Sequence, residues 1–172
     1  MKSKVQTSLV VVITLVCMSA SSISQTAENA VRRGLTYGQH TIDVPPINTL
    51  KFSCGGDYGY KCDVIEGDTA CQTALPLLCF KDLNLPTPLH IAEPETWAGG
   101  LLALTDPVKG ERFRTEVQAH KYCANAFGKD WRVVSYHDGP DKGFQSYGRN
   151  ANAKKRAWIN IQSAPKATCW SK

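Results

Sequence analysis

Apolar residues recur at helical spacing in one stretch of the chain. Phe113, Val117, His120, Ala124 and Phe127 fall on one such stripe, and Ala119, Cys123 and Ala126 on another. Thr115 followed three residues on by Gln118 is a capping-box pair, and Gly128 suits a left-handed stop. The pattern predicts one principal helix through Phe127, with Cys123 on its inward side. Other apolar runs are short. Residues 75–80 read as a buried strand, and 99–105 as a strand stopped by Asp106-Pro107. Residues 131–136 read as a strand whose Trp131, Val133 and Ser135 share one face, and 156–161 as the last strand. Leu85-Pro86-Thr87-Pro88, His137-Asp138-Gly139-Pro140 and Ala164-Pro165 break regular structure. Residues 27–50 are mixed and polar around Pro45-Pro46, which favours an extended path. The expected class is α+β: one main helix packed on a short antiparallel sheet, with long disulfide-stapled loops.

The first residues change the picture. Met1-Lys2-Ser3-Lys4 is positive, residues 9–16 are apolar apart from Thr14, and 19–24 are small and polar. That order is a cleavable secretion leader, too short to cross a hydrocarbon core of about 30 Å. A cut near Ser22 is expected, with one after Ala27 as the alternative. Leu15-Val16 before Cys17 is a poor lipidation signal, because a small residue is needed there. The expected organisation is a signal peptide at 1–22, an N-terminal arm or linker at 23–53 and a single domain at 54–172. In that domain 54–96 is a Cys-rich lead-in and 97–172 the core.

Loss of Cys17 with the leader leaves Cys54, Cys62, Cys71, Cys79, Cys123 and Cys169. An even count in an exported chain reads as three disulfides. The chain has no Cys-x-x-Cys pair, so neither a metal site nor a cofactor is expected. Asp57 and Asp63 lie in or beside the glycine-rich 54–62 loop but lack the alternating oxygen ligands and closing Glu of an EF-hand.

Twenty Lys and Arg face fifteen Asp and Glu, an excess too small to imply nucleic acid. The cations gather late, at Lys142, Arg149, Lys154, Lys155 and Arg156. Such a patch suits an anionic glycan or a membrane surface, and a solvated face is the plain alternative. Phe144, Tyr147 and Trp158 add flat contact area, or else belong to the core. Tyr147, Arg149, Lys154, Lys155 and Arg156 are the candidate ligand-binding residues. Ser135 with His137-Asp138 lacks the Gly-x-Ser-x-Gly elbow of a hydrolase and reads as a turn. His120 reads as a satisfied, partly buried histidine; His40 and His90 stand isolated.

Residues 117–132, with Ala119-x-x-x-Cys123 leading through Gly128 into Asp130-Trp131-Arg132, resemble a pattern of bacterial exported proteins. The pattern is similar to the C-type-lectin-like fold, including the C-terminal domains of collagen-like adhesins and relatives of the formylglycine-generating enzyme. Leu75-Pro76-Leu77-Leu78-Cys79 looks like part of the same exported family. Some related sequences carry a flagellar hook-length-control label, a role that a cleavable leader and three disulfides oppose. The resemblance spans about 97–172 and implies that Cys123 pairs with Cys169 across Trp158-Ile159-Asn160. Pairing among Cys54, Cys62, Cys71 and Cys79 stays open. The calcium-holding Glu-Pro-Asn or Gln-Pro-Asp of animal lectins is missing, as is the copper-binding cysteine pair, so neither chemistry carries over. The expected function is a non-catalytic exported binding module for an acidic glycan or a cell-surface protein, with no nucleic acid and no membrane span. It would work in the periplasm, at the cell surface or outside the cell. A structural envelope or secreted interaction protein, and an exported enzyme with an unrecognised pocket, are the alternatives.

Overall fold

Leu35, Tyr37, Leu50 and Phe52 sit at alternate positions of two short segments and are buried, which makes those segments strands. The structure, a computed structural model, describes residues 31–40, 49–54, 61–89, 91, 94–139, 143–148 and 156–170. The expected leader at 1–22 lies outside them. In chain order the elements are β1 (Arg33–Gly34), β2 (Thr36–His40), β3 (Thr49–Ser53), β4 (Thr69–Ala70), β5 (Ala74–Leu75), β6 (Leu78–Asp82), β7 (Trp97–Leu104), β8 (Val108–Lys109), α1 (Glu116–Phe127), β9 (Arg132–Val133), β10 (Phe144–Gly148) and β11 (Arg156–Trp158).

Among the described residues, seven strands form one sheet in the order β11-β2-β3-β10-β7-β6-β9. All its pairings are antiparallel except β10 with β7. The chain is thus α+β, with one helix packed against a mixed sheet. The segment read as an arm supplies β2 and β3 to the middle of that sheet. Its outward positions carry Thr36, Gly38, His40 and Lys51, so its composition resembles a linker although every second side chain is core.

The two ends of the sheet meet. Leu77, just before β6, bridges Trp158, and Ser135, just after β9, bridges Asn160. The Trp158 N–H donates to Pro76 O at 2.8 Å, the Asn160 N–H to Val134 O at 2.8 Å and the Tyr136 N–H to Asn160 O at 2.7 Å. The sheet therefore closes on itself, which satisfies edge groups that would otherwise invite another chain. Alternation then sorts the side chains. Leu35, Tyr37, Leu50, Phe52, Leu78, Phe80, Leu102, Val134, Phe144, Ala157 and Ile159 form the inner core. Their outward neighbours Leu77, Cys79, Val133 and Trp158 join Ala119 and Cys123 of α1, Phe113 and Trp170 in a second core.

Helix α1 starts where expected. Thr115 Oγ1 accepts the Gln118 N–H at 3.3 Å, and Gly128 ends the helix at φ 118°, its N–H on Ala124 O. Only Arg132–Val133 of the predicted 131–136 strand joins the ladder. Ser135 instead caps a short 3₁₀ turn over Tyr136–Asp138, where its hydroxyl accepts the His137 N–H and Asp138 accepts the Ser135 N–H.

Among the described residues the disulfides are Cys54–Cys62, Cys71–Cys169 and Cys79–Cys123. The implied Cys123–Cys169 pair is thereby corrected. Cys79 lies opposite Val133 on the outward side of β6, directly beneath the inward face of α1 that carries Cys123. Cys169 meets the turn after β4 instead. Its Sγ lies against Gly34 and Gly110, where added Cβ atoms would approach it to 2.5 and 2.7 Å. Cys71–Cys169 spans 98 residues, and closing a loop of roughly 100 residues in the unfolded chain is worth up to about 4.7 kcal/mol.

Candidate functional site

One half of the closed sheet's exterior is covered by α1 and the second core. The other half, over β2, β3, β10 and β7, carries polar and aromatic side chains. Strand register sets them in rows: His40 pairs with Lys51, Lys51 with Gln145 and Gln145 with Trp97. The next row is Thr49, Tyr147 and Leu101. Because Phe52 and Phe144 point inward, Lys51, Gln145 and Tyr147 point outward by alternation. Between Gln145 and Tyr147 the β7 register shifts, and Gly99 takes φ 72° at that point. That conformation favours glycine.

The shift brings Trp97 against Tyr147, with ring centroids 4.9 Å apart and planes at 87°. This edge-to-face arrangement suits the ring quadrupoles. The Trp97 indole Nε1 donates to Leu85 O at 2.9 Å, and Thr96 Oγ1 donates to Gln145 Oε1 at 3.4 Å. His40, Lys51, Trp97, Leu101 and Tyr147 are half-buried, whereas Thr49 and Gln145 are buried. Among the described residues this face is a shelf carrying a cation, an amide and two rings.

Of the residues singled out from sequence, Tyr147 lies on this shelf. Arg156 has another job. Its Nη2 lies 2.6 Å from Asp68 Oδ1, and the Asp68 side chain is 4% exposed. Asp68 also accepts from Thr36 N, Thr36 Oγ1 and Thr69 Oγ1. Arg156 thus ties β11 to the turn before β4. Arg149, Lys154 and Lys155 lie outside the described residues, as does Lys142. Phe144 and Trp158 are core residues.

His40, isolated in the sequence, is paired in the fold: its Nε2 lies 2.5 Å from Ser53 Oγ. The partners are on adjacent strands, and no local motif announces them. His120 is the satisfied histidine expected. Its Nδ1 accepts the Val133 N–H at 3.2 Å and its Nε2 faces Glu116 Oε1 at 3.1 Å. Burial holds its pKa below 6.5; Glu116 opposes that shift and Arg132 adds to it. Asp138 is engaged by Arg132, Nη2 to Oδ1 at 2.8 Å, and by the Ser135 N–H, while His137 Nε2 meets Ser163 Oγ at 2.9 Å. The 135–138 cluster is therefore a stapled turn. Asp63 accepts the Ile65 and Glu66 N–H groups, and those bonds lower its pKa. Among the described residues no cluster of His, Cys, Asp and Glu is arranged to hold a metal, and no helix is long and apolar enough to cross a membrane.

No family model, curated protein or solved structure matches the chain, and the functional reading rests on the shelf itself.

Proposed function

We propose that the chain is an exported binding module that holds an acidic glycan on the shelf of β2, β3, β10 and β7. The observation that carries this reading is the half-buried Trp97–Tyr147 pair beside the Lys51–Gln145 row. Sugar C–H faces stack on such rings, the amide offers hydrogen bonds, and a cation pairs with carboxylate or sulfate. The connection from β10 to β11 adds Arg149, Lys154 and Lys155 in sequence. Three disulfides fit an oxidising compartment, and the periplasm, the cell surface and the extracellular space are the settings proposed. The C-type-lectin-like scaffold enters only as part of this proposal. One helix packed on a sheet supports it, and the Cys79–Cys123 and Cys71–Cys169 pairing opposes it.

The test is chromatography on immobilised heparin and on a polyuronate at graded salt. Salt-sensitive retention is expected, weakened by Tyr147→Ala and by Lys154→Ala with Lys155→Ala. A chain that flows through both columns at low salt overturns the reading.

A further inference from the structure

Ser53 and His40 form a nucleophile–base pair at the end of the shelf, and we infer that they cleave a small acyl ester, of acetyl size, carried by the bound glycan. This inference rests on the binding reading above for its substrate class, though not for its chemistry. Both residues stand on core strands of the sheet, with His40 Nε2 and Ser53 Oγ 2.5 Å apart. That is the contact a serine nucleophile needs from its general base. Rigid strands hold it without a loop having to order.

The cross-strand neighbours of Ser53 are small. Its cross-strand neighbour on β2 is Gly38. On the β10 side stands Gly143, at φ 127°, where a Cβ would come within 3.0 Å of Ser53 Cβ and 3.4 Å of Lys51 Cε. Among the described residues, glycines stand opposite Ser53 on both adjacent strands, and the Lys51 stem reaches Gly143. Ser53 is itself only 5% exposed, so the reacting carbonyl has to be small. His40 is half-buried at the rim and stays within reach of water.

The step balances within the site. With the imidazole proton on Nδ1, His40 Nε2 takes the hydroxyl proton as Ser53 Oγ bonds to the acetyl carbon. The bond from that carbon to the sugar oxygen then breaks, and the sugar leaves with the proton from His40. Water attacks the acetyl-serine, again losing a proton to His40. Acetic acid departs as the proton passes from His40 to Ser53 Oγ, and it ionises in the solvent.

Methanesulfonyl fluoride, whose sulfonyl group is close to acetyl in size, is the probe. Treatment of the oxidised full-length chain followed by peptide mapping should place one adduct on Ser53. Ser53→Ala should abolish the adduct, and His40→Gln should slow its formation by about 10²-fold or more, as expected for loss of a general base. Hydrolysis of 4-nitrophenyl acetate should fall in parallel. Non-reducing mass confirms three disulfides in each variant. An unmodified Ser53 in the folded wild-type chain overturns the inference even if the column retains the protein. Labelling at an unchanged rate in His40→Gln overturns it equally.

Discussion

Arg156 and Asp68 are ion-paired at 2.6 Å, joining β11 to the turn before β4 across 88 residues of sequence. Asp68 is nearly inaccessible and holds Thr36 and Thr69 as well. Truncating Arg156 strands a buried carboxylate, and breaking such a pair costs about 3 kcal/mol or somewhat more. Arg156→Ala should therefore lower the urea midpoint clearly while leaving glycan retention near wild type. A variant as stable as wild type would show that the pair contributes nothing.

Cys123 joins α1 to β6 through Cys79, and Cys169 joins the tail to Cys71. Non-reducing peptide mapping should recover these pairs together with Cys54–Cys62. Replacing Cys79 and Cys123 together by Ala should cost about 2–5 kcal/mol. A recovered Cys123–Cys169 peptide would contradict the seating of α1 on β6.

His120 confers a pH dependence whose sign follows from its lowered pKa. The folded state resists its protonation because burial disfavours the charged ring, which also could no longer accept the Val133 N–H. Its contribution is complete above the unfolded value of about 6.5. It is lost as the pH falls through 6.5 toward the lower folded value. Urea midpoints of wild type and His120→Gln between pH 8 and 5 should converge on acidification, because Gln can still accept from Val133. Parallel profiles would remove His120 from the account.

Gly100 on β7 lies beneath the Phe80 ring and against Lys81 O, and its N–H donates to Ser146 Oγ at 2.9 Å. Any Cβ there overlaps both neighbours. Gly100→Ala should destabilise by roughly 1–3 kcal/mol, the range for overpacking a filled core. Thermal unfolding measures this directly, and a neutral substitution would mean that the sheet has slack at β7.

Helix α1 was legible in sequence because its apolar spacing, cap and terminal glycine are all local. The strands were harder to read. In β2 and β3 the outward side chains are Thr36, Gly38, His40 and Lys51, so polar composition masked the alternation that Leu35, Tyr37, Leu50 and Phe52 supply. Strand β10 was hard to see as a strand because Gly143 and Gly148 bracket it. In the fold Gly148 is small because Leu50 packs over it. Tyr147 was identifiable as an aromatic, but its partner Trp97 is fifty residues away and is set by a register shift. The His40–Ser53 contact and the cysteine pairing depend likewise on which strands become neighbours. Such information is non-local, and no spacing along the chain encodes it.

The shelf can be tested residue by residue by titrating ¹⁵N-labelled protein with a short sulfated oligosaccharide and following amide and indole resonances. The account predicts shifts concentrated at His40, Lys51, Gln145, Tyr147 and the Trp97 indole, with α1 and Trp170 unmoved. Shifts confined to α1 and the Trp170 side, or none at saturating oligosaccharide, would contradict it.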